Sequence, residues 1–100
     1  MITAKEMQDK VKDYEASILF KNKSLIDYIE TEIKKEAENG ESELRLSLKI
    51  HELDYIFPNN YKIHYTEFLI IKKSFRARGF DVNDIYAYDH PNLVIDWQEK

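Results

Sequence analysis

The most regular pattern in the chain is an alternation of apolar and polar residues between positions 42 and 50. The apolar set is Leu44, Leu46, Leu48 and Ile50, and the polar set is Glu43, Arg45, Ser47 and Lys49. Successive side chains of a strand point to opposite faces of its sheet. This period of two therefore predicts a half-buried strand over 42–50.

Before this strand, apolar residues recur every three or four positions over 7–33, which is the spacing of an amphipathic helix. Thr3 and Glu6 have the spacing of a capping box, in which each side chain bonds the backbone amide of the other residue. Gly40 provides the left-handed residue that commonly ends a helix. We therefore expect a helix over 4–39.

The continuity of this helix is open at the polar stretch 21–24, where Ser24 could cap a separate second helix. We expect one continuous helix, which would be about 50 Å long at about 1.5 Å per residue and longer than a compact domain of this size is wide. Its first part, 1–22, would then project and pair with another copy of the chain. The predicted oligomerisation residues form a narrow apolar stripe: Met7, Val11, Tyr14 and Ile18.

The second half of the chain predicts one more helix and two more strands. Thr66 can cap a helix over 66–78, whose core residues are Phe68, Ile71 and Phe75 and which Gly79 ends. The segments FDVNDIYAY and LVIDW read as strands joined by a tight turn at 90–93, with proline in its second position.

The predicted order is thus helix, strand, helix, strand, strand, with an irregular segment after the first strand. We expect a single α+β domain over 1–100, in which the second helix packs on a mostly antiparallel three-stranded sheet.

Composition places the chain among folded proteins, since 43% of its residues are hydrophobic and 34% are charged. Cysteine is absent, which excludes disulfides and thiolate chemistry and fits a reducing compartment. No stretch approaches the roughly 20 apolar residues of a membrane span, and the N-terminal residues lack an apolar signal core. We expect a cytoplasmic protein without membrane contact.

The residues offer little for catalysis. Both glycines fit helix ends, so no glycine-rich phosphate loop can be built. The histidines, His51, His64 and His90, lack the spacing that places two imidazoles on one helical face around a metal. We expect no enzymatic activity, no metal site and no cofactor.

A basic stretch stands out against the formal net charge of −4, because residues 61–80 hold five basic residues and one acidic residue. Its core is Lys72, Lys73, Arg76 and Arg78. Cations in the last turns of a helix complement the negative end of its dipole, which explains much of the stretch. The alternative is a surface that binds an anion. We do not expect duplex nucleic acid as a partner, because the pI is only 5.4.

Aromatic residues are concentrated in the same half, with ten of the thirteen after residue 54. Buried tyrosine hydroxyls need hydrogen-bond partners, and a small core satisfies few of them. Some tyrosines therefore either pack at the rim of the core or contact a partner. We assign Tyr86 and Tyr88 as candidates for stacking or anchoring beside the basic residues.

Several segments together resemble small orphan proteins encoded by tailed bacteriophages: MITAKE at the start, IKKEAENGE at the helix end, LRLSLKI, RARGFDV and LVIDW. The resemblance spans nearly the whole chain and carries no active site. It implies a protein made in the host cytoplasm during infection, often one that blocks a host process or a defence system by binding.

Three functional hypotheses follow. The first is a non-enzymatic, oligomeric inhibitor that binds a host protein or sequesters a small nucleotide signal. The second is a nucleic-acid-binding regulator that uses the basic helix over 66–78. The third is a structural or assembly protein of the virion, for which the long first helix is the argument.

Overall fold

The computed structural model describes residues 1–87 and 90–98, and the fold is α+β as expected. Within these residues there are three helices, α1 (Ala4–Lys21), α2 (Lys23–Glu38) and α3 (Tyr65–Ala77). The strands are β1 (Glu43–Ser47), β2 (Lys49–His51), β3 (Asp54–Ile56), β4 (Lys62–His64), β5 (Asp81–Ala87) and β6 (His90–Asp96). The second predicted helix is confirmed to within one residue at each end.

The described strands form two small antiparallel sheets. In the first sheet β6 lies between β1 and β5, and it pairs with both in antiparallel register. The second sheet is a meander of β2, β3 and β4. It occupies part of the segment that we expected to be irregular.

A single apolar core joins the helices to both sheets. Alternation places one face of the first sheet against the helices, and the buried residues of that face are Leu44, Leu46, Val82, Leu93 and Ile95. The helices contribute their apolar stripes to the same cluster, with Leu25, Ile29 and Ile33 from α2 and Phe68, Ile71 and Phe75 from α3. The strand residues spaced two apart and the helix residues spaced three or four apart therefore pack into one core.

The expected continuous first helix is wrong, because it is divided at Asn22. This residue has φ −104° and ψ 25°, outside the helical region, and its amide group is buried among other elements. The Asn22 Nδ2 atom donates to the Ile18 carbonyl at 2.9 Å and to Glu67 Oε1 at 3.0 Å. The Tyr61 hydroxyl donates to Asn22 Oδ1 at 2.6 Å. The break thus lies at Asn22, and Ser24 is not the cap.

The strand predicted over 42–50 is also divided, at Leu48. The Leu48 amide donates to the Pro91 carbonyl at 2.9 Å, but proline has no N–H to donate in return. The ladder between β1 and β6 ends at the neighbouring pair of Ser47 and Asn92, and the chain continues into the second sheet.

The prediction of a tight turn at 90–93 is also wrong, because these residues lie in β6. Pro91 pairs with Tyr86 inside the β5–β6 ladder, and the last pair of that ladder is Ala87 with His90. The Pro91 carbonyl faces Leu48, just beyond the end of β1, so the missing N–H costs no ladder bond. The pairing of β5 with β6 as a hairpin is confirmed, and residues 88–89 lie outside the described residues.

Candidate functional site

The two lysines of the basic stretch are held by carboxylates of other elements. Lys72 Nζ lies 2.9 Å from Asp84 Oδ2 on β5, and the two side chains are only 11% and 14% exposed. The same ammonium lies 5.1 Å from the centre of the Phe68 ring. Lys73 Nζ lies 2.9 Å from Glu15 Oε1 on α1. These lysines therefore link α3 to the edge of the sheet and to the first helix.

The two arginines are held in a similar way. The Arg76 guanidinium donates to the Val82 carbonyl at 2.7 Å, next to the end of α3. Arg78 pairs with Glu30 of α2 at 2.8 Å, and its guanidinium lies 4.5 Å from the centre of the Phe75 ring. All four cations of the predicted anion site thus have partners within the chain. Whether they also bind an external anion stays a prediction.

The predicted aromatic contacts fall largely outside the described structure. Tyr88 lies outside the described residues, and for Tyr86 only the backbone, in β5, is described. Two other tyrosines have internal roles, since Tyr61 bonds Asn22 and the Tyr55 ring lies 5.1 Å from the Phe68 ring. A binding role for Tyr86 and Tyr88 therefore stays a prediction.

The predicted oligomerisation stripe is only partly accessible. Ile18 is buried within the chain, whereas Val11 and Tyr14 are exposed and Met7 is half-buried. Over residues 1–14, all side chains except that of Met7 are exposed. The stripe therefore packs internally at its last member and stays open at the first three.

A surface that the sequence reasoning missed lies at the tip of the β2–β3 hairpin. Leu53 is 60% exposed, Ile50 is 47% exposed and Tyr65, the first residue of α3, is 41% exposed. These three side chains line one shallow pocket of about 220 Å³. Leu69, also exposed, lies one turn along α3 on the same face as Tyr65. We call these four residues the hairpin-tip surface.

The hairpin tip is tied to the start of α3. The Tyr65 amide donates to the Leu53 carbonyl at 2.9 Å, and the His64 ring lies 4.9 Å from the Tyr65 ring. His64 Nδ1 also accepts from the Thr66 amide at 3.3 Å, so His64 caps α3 in place of the predicted Thr66. These contacts connect the turn of the hairpin to the first residues of α3, which carry the exposed side chains.

The turn of this hairpin explains why the sequence did not reveal it. Glu52 has φ +57°, a left-handed conformation that usually selects glycine or asparagine. A two-residue turn of Glu52 and Leu53 therefore lacks the usual sequence signal. The recognisable signal was the pair of short segments on either side, at 48–50 and 54–57, in which apolar residues outnumber charged ones.

The junction at Asn22 carries the clearest electrostatic effect. The hydrogen bond from the Asn22 amide, opposed by burial and supported by the neighbouring Lys21 ammonium, holds the pKa of the Glu67 carboxyl below its ordinary value. Lys21 Nζ lies 3.3 Å from Glu67 Oε2. This cluster joins α1, α3 and the β3–β4 connection, and we assign it a structural role.

Over residues 1–87 and 90–98, no group of three or more histidine, aspartate and glutamate side chains is placed to hold a metal ion. In the same part of the chain, no helix has the length and apolar character needed to cross a membrane. Comparisons with protein-family models, with curated proteins and with solved structures found no match.

Proposed function

We propose that the protein is a non-enzymatic binding protein whose target is another protein. The resemblance to small phage proteins makes a host component, inhibited or sequestered in the host cytoplasm, the expected target. The observation that carries the proposal is a division of roles. The cations of the basic stretch are engaged inside the chain, while large apolar side chains are exposed at the hairpin-tip surface.

The pairing of the cations argues against an anion as the main ligand. An anion that bound at Arg78 would compete with Glu30 at 2.8 Å, and one at Lys73 would compete with Glu15 at 2.9 Å. Nucleic-acid affinity depends on cations that replace the counterions of phosphates. Cations already neutralised by carboxylates contribute less to such an exchange.

The exposed apolar residues support a protein target. Clustered apolar side chains on a surface mark contact sites more often than scattered ones do, and tyrosine is enriched among residues that dominate binding energy. The hairpin-tip pocket, at about 220 Å³, is smaller than the roughly 300–1,000 Å³ of ordinary small-molecule sites. It suits a side chain of a partner protein.

Native mass spectrometry of the protein purified from the cells in which it acts tests the proposal. We expect a complex whose added mass is that of a protein and that survives raised salt, since burial of apolar surface is not screened. An added mass of a few hundred daltons, or purification of the chain without any bound protein, would contradict the proposal.

A matched pair of variants separates the two surfaces. The combination of Arg76→Glu and Arg78→Glu reverses the charge of the predicted anion site, and Leu53→Glu places a charge in the hairpin-tip surface. We expect the arginine variant to keep its partner and the Leu53 variant to lose it. The reverse result would favour the basic stretch and a nucleotide or nucleic-acid ligand.

The proposal includes self-association through the exposed part of the α1 stripe. Met7, Val11 and Tyr14 are the residues available for it, since Ile18 is used within the chain. A stripe of this length buries little area, so the contact would be weak unless other surfaces add to it.

A further inference from the structure

The charged residues that line the hairpin-tip pocket are both acidic. They are Glu52, which is exposed, and Asp54, which lies 3.4 Å from Lys62. Over the described residues no ion pair engages Glu52, and no lysine or arginine lines the pocket. The pocket therefore combines an apolar floor with one free negative charge at its rim.

The backbone of the turn that carries Glu52 is held in a defined conformation. Glu52 is the residue with φ +57° in the turn, and the following residue, Leu53, is bonded through its carbonyl to the Tyr65 amide. A left-handed conformation at a residue other than glycine costs on the order of 1 kcal/mol. Such a turn fixes the backbone positions from which the Glu52 and Leu53 side chains project, and a fixed backbone loses less entropy on binding.

We infer that this pocket receives an apolar side chain from a basic segment of a partner protein, with a lysine or arginine next to that side chain paired to Glu52. The inference rests on the proposed function and specifies the chemistry of its partner. The apolar side chain fills the space between Ile50, Leu53 and Tyr65. The adjacent cation meets the carboxylate at the rim, where charge complementarity favours the correct partner.

The other occupants fit this chemistry less well. An acidic peptide would place like charges together at Glu52. A membrane surface that carries anionic lipids would meet the same repulsion. A second copy of the chain is the remaining alternative occupant, and native mass spectrometry of Leu53→Ser reports it directly.

The test uses synthetic peptides of nine residues, identical except around a central leucine. One peptide has arginine on both sides of the leucine, a second has glutamate there, and a third keeps the arginines but has alanine at the centre. Binding is followed by NMR of the nitrogen-15-labelled full chain, with peptide added to millimolar concentration. We expect the arginine–leucine peptide to shift the amide signals of residues 50–55 and Tyr65.

Three variants sharpen the result. Glu52→Lys should reverse the preference, so that the glutamate peptide binds more tightly than the arginine peptide, with a change of about fivefold in each affinity. Leu53→Ser should abolish the shifts. Ile85→Ser is the matched control, because Ile85 is also exposed but lies on β5 and does not line the pocket.

Four outcomes would overturn the inference: no shifts with the arginine–leucine peptide, equal binding of the arginine and glutamate peptides, equal binding of the peptide with central alanine, or shifts that persist in Leu53→Ser. A protein dimer whose mass falls to that of a monomer in Leu53→Ser would also overturn it, since the occupant would then be a second copy. If the arginine peptide binds but no protein co-purifies with the chain, the proposed function fails and the site stands. If a protein co-purifies but the peptides fail, only the chemistry assigned here fails.

Discussion

Replacement of Asn22 tests the account of the fold at its least predictable point. The side chain is 3% exposed and makes three hydrogen bonds, to the Ile18 carbonyl, the Glu67 carboxylate and the Tyr61 hydroxyl. Asn22→Ala removes all of them at once. The expected result is a large loss of stability without a change of fold.

The magnitude follows from the kind of each bond. The Ile18 carbonyl still accepts a hydrogen bond from the Asn22 backbone amide at 3.1 Å, so the loss of the side-chain bond to this carbonyl costs little. The Tyr61 bond is neutral, worth about 1 kcal/mol, and the bond to the Glu67 carboxylate is worth about 2 kcal/mol. The expected decrease in the free energy of unfolding is about 3 kcal/mol, a large part of the 5–15 kcal/mol typical of a domain.

Urea unfolding followed by circular dichroism measures this decrease. With a urea dependence of about 2 kcal/mol per molar, the midpoint should fall by about 1.5 M. Asn83→Ala is the matched control, since Asn83 is exposed on β5, and its change should stay within about 0.5 kcal/mol. A decrease below about 1 kcal/mol for Asn22→Ala would refute the reasoning.

Asn22→Asp adds a test by pH. It keeps an acceptor for Tyr61 but places a second carboxylate against Glu67. In the unchanged protein the pKa of Glu67 is lowered. The contribution of Glu67 to the free energy of unfolding is therefore present above the ordinary glutamate pKa of about 4.3 and is lost as pH falls through the folded value. In the variant, protonation at low pH relieves the repulsion. The stability gap should therefore narrow from about pH 7 to about pH 4, and a constant gap would contradict the account.

Three further results are expected. Lys72→Met should lower the free energy of unfolding by about 3 kcal/mol, because it leaves the Asp84 charge buried without a partner. Adding Asp84→Leu should recover most of this loss in the same urea assay. No recovery would contradict the assignment of a buried ion pair. Burial, with a smaller effect of the Glu32 charge, raises the pKa of Tyr28. The stabilising contribution of Tyr28 is therefore present below the ordinary tyrosine pKa of about 10 and is lost as pH rises through the folded value. Tyr28→Phe should reduce this loss of stability at alkaline pH in thermal melts, and an unchanged loss would contradict the assignment. Val11→Ser should lower the assembled mass in sedimentation without changing the urea midpoint, whereas an unchanged mass would remove the α1 stripe from the proposed self-association.

Elements whose cause is local could be predicted from the sequence. The alternation at β1, the helical spacing of Phe68, Ile71 and Phe75, and the β5–β6 pair each depend on residues close together in the chain. The division of the first helix at Asn22 depends on Tyr61 and Glu67, which are 39 and 45 positions away. No local pattern contains that information, and the polar stretch at 21–24 indicated only that a break was possible.

The same distinction applies to the candidate site. The basic stretch was recognised from local charge, but its carboxylate partners lie far along the chain, with Glu15 58 positions from Lys73 and Glu30 48 positions from Arg78. The acidic residues in the rest of the chain therefore include the partners of the basic stretch. The hairpin-tip surface was missed because Glu52 holds a turn that normally needs glycine or asparagine.

The most direct test of the central claim is photo-crosslinking in cells. A photoreactive amino acid is placed at position 53, in the hairpin-tip surface, and at position 83, on the exposed face of β5, as the control. We expect a covalent adduct with a different protein at position 53 and no such adduct at position 83. The absence of any adduct at position 53, or the same adducts at both positions, would contradict the claim that this protein acts by binding another protein through the hairpin-tip surface.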